Sequence, residues 1–323
     1  MRWFVDYDAI ARGEPGITHS FTGCLATALD YTGYLVDPVW LMGVTGFAFR
    51  IWVDPHLSPD AMNAFDWQHL LPQTAHRAGL NSTYIQADTS TMGPDDPVLH
   101  QAHEAIHAAI DRGIPAIVWD LNDPPMWGLI YGYNDFTRCY ETFASWKYKV
   151  SLPYDSLGRR DVRMLSVLLL EDECVRKDDG QVARASLQTA LLHAEGREMP
   201  PGWKTRSGLA AFDLWADLLE PDALPAFALQ FVDYYAEMYF AFRCYARDYV
   251  ARLAAEDPRL EQAATAYGAA ADALRTVFES VDEHRRDPRA WGRRLSSWVR
   301  EARAQEAIAL HAIRDVLDLP DSV

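Results

Sequence analysis

Residues 19–51, HSFTGCLATALDYTGYLVDPVWLMGVTGFAFRI, decide how the first half of this chain is read. Gly23 and Cys24 open an amphipathic stretch, CLATALDYTGY, whose period is helical and whose stop is Gly33. DPVWLMGVTG follows as a short second helix, with Pro38 near its start and Gly46 at its end. FAFRIWV then alternates in the manner of a strand. A single cysteine beside a small residue at a helix start carries chemical meaning. Unpaired backbone N–H groups and the positive end of the helix dipole favour a thiolate there.

Downstream, AFDWQHLLPQTAHRAG reads as a helix interrupted by Pro72, STYIQA as a strand and VLHQAHEAIHAAIDRG as a helix. PAIVWDL, WGLIYGYN, RCYETFAS and VRMLSVLLL read as successive strands, the last apolar enough to lie inside a sheet. The texture changes near Asp179. From there VARASLQTALLHAEG, SGLAAFDLWADLLE, LPAFALQFVDYYAEMYFAFRCYARDYVARLAAE, PRLEQAATAYGAAADALRTVFESV and PRAWGRRLSSWVREARAQEAIALHAIRDVL are all helical in period, with Pro221, Pro225, Pro258 and Pro288 near their starts. The expected organisation is an α+β domain over residues 1–178 and an α-helical bundle over 179–323.

Bulk properties set limits on function. The chain has 323 residues, enough for two domains, with 49% hydrophobic and 24% charged residues, as in ordinary folded proteins. No apolar run is long enough to span a bilayer, and the opening MRWFVDYDAIARGEPG lacks a basic-then-apolar leader, so a cytoplasmic protein is expected. Cys24, Cys139, Cys174 and Cys244 are scattered without a CxxC pair, so reduced thiols are expected and zinc–cysteine clusters are not. Net charge is −16, with 13 basic and 23 acidic residues up to Asp178 and 17 and 23 beyond it. An excess of acid in both halves argues against nucleic acid or an anionic membrane as partner. It suits a cationic small molecule, and solubility explains it equally well.

The order of small residue, Cys24, helix ending in Tyr-x-Gly, second helix and Gly-x-x-Gly-x-x-Phe resembles the N-terminal domain of the butirosin biosynthesis protein H family. That family is related to the C39-like, papain-fold cysteine peptidases. Residues 113–135, GIPAIVWDLNDPPMWGLIYGYND, are similar to its second block. The resemblance implies a papain-like domain and acyl chemistry at a thiol. The reaction would be acyl transfer, or amide or ester hydrolysis, on a small biosynthetic molecule, with an acyl carrier protein as one donor and no cofactor. Cys24 maps onto the nucleophile. Thr18 stands where papain-like enzymes keep an oxyanion glutamine, six residues before the cysteine. Trp127, Asn134 and Asp135 fall along the second block as candidate substrate contacts. The peptidase histidine position reads Met126-Trp127, and methionine cannot accept a proton.

Another group would then have to act as base. His19, five residues before Cys24, is one candidate, with a surface loop histidine as the alternative reading. Asp120, ending the strand PAIVWDL, is another, with the alternative of an acceptor for backbone N–H groups in LNDPP. Cys24 itself has the alternative of a buried structural thiol. An idle relative that binds a small molecule or a protein partner is therefore the second functional reading.

Two further motifs compete. HEAIH places His103 and His107 on one helical face with Glu104 between them, the pattern of a zinc hydrolase, but no third ligand follows at a recognised spacing. In YYAEMYFAFRCYARDY, Tyr235, Met238, Phe242, Tyr245 and Tyr249 repeat at helical spacing, as a core face or the face of a homodimer.

Overall fold

The computed structural model describes residues 19–33, 36–93, 95–121, 123–144, 149–174, 178–200, 202–220 and 226–318. It is a mixed α+β protein. Two compact units emerge, one of residues 1–41 with 67–177, the other of residues 42–66 with 178–323. The expected boundary near residue 178 recurs, but residues 42–66, read with the first domain, belong to the second unit.

In the first unit, α1 (Ser20–Tyr31) ends at Gly33, whose φ of +86° costs glycine little. The chain then enters α2 (Pro38–Val44). Helix α3 (Trp67–Arg77) runs through Pro72 without a break. Proline forgoes one backbone hydrogen bond there, and burial of Leu70, Leu71, Thr74 and Ala75 holds the helix together. Helix α4 (Pro97–Asp111) starts on Asp96, whose carboxylate accepts from the Val98 N–H at 3.0 Å, with Pro97 in the first turn.

The six strands are β2 (Leu80–Asp88), β3 (Ala116–Val118), β4 (Gly128–Asn134), β5 (Cys139–Ala144), β6 (Lys149–Pro153) and β7 (Met164–Cys174). They lie in the order β2-β7-β3-β4-β5-β6, and every pairing is antiparallel. β7 is interior because it is apolar on both faces. Leu165, Val167 and Leu169 join Leu99, Ala102, Ile106 and Ala109 of α4 in one core, while Leu168 and Leu170 are buried on the other face. Each such aliphatic side chain contributes about 1.5–3 kcal/mol on burial.

The second unit holds α5 (Asp179–Ala194), α6 (Leu209–Leu218), α7 (Val232–Ala254), α8 (Glu261–Glu279), α9 (Val281–Arg286) and α10 (Pro288–Val316). Helix α7 packs on α8, and α8 and α6 pack on α10. The stretch expected as the strand FAFRIWV is a 3-10 turn at Phe47–Phe49 followed by the short β1 (Trp52–Val53), which pairs with β8 (Arg206–Ser207). Its backbone groups find partners on helices instead. The Tyr239 hydroxyl accepts from Trp52 N–H at 2.8 Å and donates to Trp52 C=O at 2.6 Å. Arg243 donates to the carbonyls of Ala48 (3.3 Å) and Arg50 (3.1 Å) while paired with Glu306 at 2.7 Å. These bonds satisfy buried groups of residues 42–66 within the helical unit. Tyr235, Met238, Phe242, Tyr245 and Tyr249 are all buried, so this face of α7 is core in the monomer.

Candidate functional site

Helix α1 starts one turn earlier than the sequence suggests. His19 is its N-cap residue, and the His19 carbonyl accepts from the Gly23 N–H and the Thr22 hydroxyl, both at 3.0 Å. Cys24 is therefore the fifth helical residue and lies beyond the free N–H groups of the first turn, where the dipole acts. The thiol is fully buried, and burial alone pushes its pKa well above the ordinary range. Among the described residues it has no hydrogen-bond partner. His19 is also buried, and Thr18 lies outside the described residues.

Four aromatic rings gather where α1 meets the sheet. Phe21 meets Trp127 edge-on at 5.3 Å, and Trp127 lies 4.9 Å from Trp67 and 5.3 Å from Trp119. Trp67 and Trp119 are 5.1 Å apart. All four are buried, so Trp127, expected as a substrate contact, packs inside this cluster. Met126 stands just before it, and its carbonyl accepts from Leu121 N–H at 3.2 Å.

Asp120 sits at the end of β3 with a left-handed φ of 61°, a conformation that aspartate tolerates better than most residues. Its Oδ2 accepts from the Val162 N–H and its carbonyl from Arg160 Nη1, both at 3.0 Å. The N–H partner thus comes from the β6–β7 connection, not from the LNDPP turn. Burial raises the Asp120 carboxyl, and its Oδ1 is buried with no partner among the described residues. Asp120 holds two chain segments together, and no hydrogen bond joins it to Cys24.

Asn134 and Asp135 lie far along β4 at its turn into β5. Asn134 Oδ1 accepts from the N–H groups of Phe136 (3.0 Å) and Thr137 (3.1 Å), and Asp135 Oδ1 accepts from the Tyr154 hydroxyl at 2.9 Å. A hollow of about 320 Å³ opens beside this turn, lined by Tyr131, Asn134, Thr137, Cys139, Glu141 and Ser151 among others. A β-bulge creates it. Ile130 opposes Thr142 and Gly132 opposes Glu141, which leaves Tyr131 as an extra residue on β4. Gly132 leaves space in the row Gly132–Glu141–Ser151, since a Cβ there would lie 3.2 Å from Glu141 Oε2. Sequence reading missed Cys139, Glu141 and Ser151, although the Gly-Tyr-Asn-Asp turn chemistry signalled the hairpin.

The HEAIH helix faces tyrosines. His103 Nδ1 is hydrogen-bonded to the Tyr140 hydroxyl, and the His107 ring stacks on Tyr133 at 3.9 Å. Tyr154 lies within 5.5 Å of both imidazoles. Burial first, then the neighbouring His107, His100 and Arg138, lower the His103 pKa to about 4. Glu104 is exposed on the helix. Among the described residues no group of three or more His, Cys, Asp or Glu is placed to hold a metal ion.

In the second unit a buried charged network surrounds residues 50–51, and no local pattern in the chain signals it. Arg50 donates to both Glu198 oxygens (2.9 and 2.8 Å), and His193 Nδ1 lies 2.9 Å from Glu198 Oε2. Burial lowers the His193 pKa against the opposing pull of Glu198, and its Nε2 lies 2.9 Å from both the N–H nitrogen and the carbonyl oxygen of Ile51. Burial by itself would raise the Glu198 carboxyl, but Arg50 and the His193 hydrogen bond outweigh it and hold it low. This network fastens the loop at residues 50–51 within the helical unit.

No protein-family model matches the chain, and no curated protein matches it. No helix among the described residues is long and apolar enough to cross a membrane.

Proposed function

We propose that this protein is a catalytically idle relative of the papain-like cysteine enzymes that works by binding, in the cytoplasm, a small molecule or a protein partner. Cys24 carries this reading. It is a fully buried thiol with a raised pKa, beyond the first turn of its helix and without a hydrogen-bonded base among the described residues. A nucleophile needs the opposite conditions, namely thiolate character, access, and a base within about 3 Å. The cluster of Phe21, Trp67, Trp119 and Trp127 supports the same reading, because buried aromatic packing fills the place where α1 meets the sheet. In this reading the papain-like α+β domain is a scaffold, and residues 179–323 form its helical-bundle companion.

Thiol labelling tests it. With a maleimide or disulfide reagent at neutral pH, we expect Cys24 to react far more slowly than Cys139, whose sulfur is partly exposed, and only as the protein opens. Rapid, selective modification of Cys24 in the folded protein would instead restore thiol-dependent acyl transfer or hydrolysis, with His19 or Asp120 assisting.

A further inference from the structure

Strand β2 is an edge of the six-stranded sheet, and among the described residues it pairs with β7 alone. Two hydrogen bonds fix which of its backbone groups face outward. The Trp119 N–H donates to the Ser166 carbonyl at 3.1 Å, so the backbone of Ser166 on β7 is turned towards β3. Gln86 stands opposite Ser166, and in such an antiparallel pair both residues direct N–H and C=O away from each other. Just past the strand, the Thr89 N–H donates to the Arg163 carbonyl at 3.0 Å, which keeps the odd-numbered residues facing β7. The N–H and C=O groups of Gln86 and Asp88 therefore point off the open side of the sheet.

A hollow of about 520 Å³ follows this edge. Ile85 belongs to the core under α4, so Tyr84 and Gln86 lie on the other face, where the Tyr84 hydroxyl is 2.7 Å from Ser166 Oγ. All three residues line the hollow, and a space that reaches both faces of a strand passes around its free edge. Gln68 and Pro72 of α3 and Val98 and Gln101 of α4 form the walls, so the edge is recessed between two helices. That recess selects the occupant. The β2 edge of a second copy is recessed in the same way, which keeps two folded copies from closing to the strand spacing of about 4.8 Å. A single extended chain can enter. Charge narrows the choice further. No residue lining the hollow is charged, and its polar walls are the carboxamides of three glutamines and a tyrosine hydroxyl. Asp88 is exposed two residues past Gln86, about 7 Å along the strand. Hydrogen bonds from Ser90 hold its carboxyl below the usual range, so one end of the slot is anionic.

We propose that the β2 edge is a strand-addition site for an extended segment of another protein. The segment is uncharged where it lies in the slot and carries a lysine or arginine at the end beside Asp88. Main-chain hydrogen bonds to Gln86 and Asp88 supply affinity, and the walls from α3 and α4 select the side chains. The site does not include Cys24, so it holds whether or not that thiol is reactive.

Selection of a phage-displayed library of random dodecapeptides on the full chain tests it, each recovered peptide then being synthesised and titrated by fluorescence anisotropy. The expected peptides share a proline-free, uncharged stretch with a basic residue at one end. N-methylating every second residue of that stretch should weaken binding at least about tenfold in one phase of the alternation and leave it unchanged in the other, because a strand offers a single edge to β2. Gln101→Trp, at an exposed position of α4, should fill the slot and weaken binding to a similar extent without moving the unfolding midpoint. Asp88→Arg should shift preference from the basic-ended peptide to its glutamate-ended counterpart. Failure to recover any binding peptide would overturn the proposal, as would equal responses to the two phases of N-methylation or indifference to Gln101→Trp.

Discussion

Replacing Cys24 by serine separates a core thiol from a working nucleophile through stability alone. The side chain keeps its shape, but a weakly polar sulfur becomes a strong hydrogen-bonding oxygen at a position with no solvent exposure. Burying a hydroxyl without a partner costs about 1–3 kcal/mol in proteins. A serine at this point of α1 can bond back to the Ser20 carbonyl one turn earlier, recovering about 0.5–1 kcal/mol. The net loss is then about 1–2 kcal/mol, which lowers the thermal midpoint by roughly 2–8 °C for a protein region of this size. Cys24→Ala removes only the sulfur's packing and should cost about 1 kcal/mol. Heat and urea unfolding followed by tryptophan fluorescence provide the assay, with Trp67, Trp119 and Trp127 reporting from the same unit. Catalytic thiols sit in polar surroundings, so the same change there is neutral or stabilising. A serine variant as stable as the parent would therefore refute the apolar burial on which the idle reading rests.

Two more outcomes follow from the buried ionisable groups. His103 has a folded pKa of about 4 against about 6.5 for a free imidazole, so between those values the unfolded chain binds a proton that the folded chain refuses. Stability should fall as pH drops from about 6.5 to about 4, and His103→Gln should flatten that part of the profile of unfolding midpoint against pH; an unchanged slope would contradict the assignment. In the second unit, Glu306→Ala strands the fully buried Arg243 cation and should cost about 3–5 kcal/mol, whereas Arg243→Met with Glu306→Leu leaves no unpaired charge and should cost less, its loss coming from the Ala48 and Arg50 carbonyls that Arg243 no longer reaches. Denaturant titration decides this, and a double variant as unstable as the single one would show that the pair does more than neutralise itself.

Several elements were legible because their cause is local. The stop at Gly33, the Asp96–Pro97 start of α4 and the apolar run of β7 are written in capping chemistry and periodicity. Other elements were misread because their partners are remote in sequence. FAFRIWV alternates like a strand, yet Arg243, Tyr239 and His193, more than 140 residues away, take its backbone bonds. Helix α3 passes through Pro72 because tertiary burial overrides a local breaker.

Candidate site residues divide the same way. The chain alone marked Cys24 as a lone cysteine next to glycine near a helix start, and Met126 as a residue unable to act as a base. It also signalled the Asn134–Asp135 turn through side chains that bond their own neighbouring backbone. Only the folded chain decided that Cys24 lies beyond the first turn with no hydrogen-bond partner among the described residues, that Trp127 closes an aromatic cluster, and that a hollow lies beside the bulge at Tyr131. Accessibility and pKa depend on atoms from several segments at once. Residue identity and spacing fix what a group can do chemically, but only packing determines whether water and a reactant can reach it.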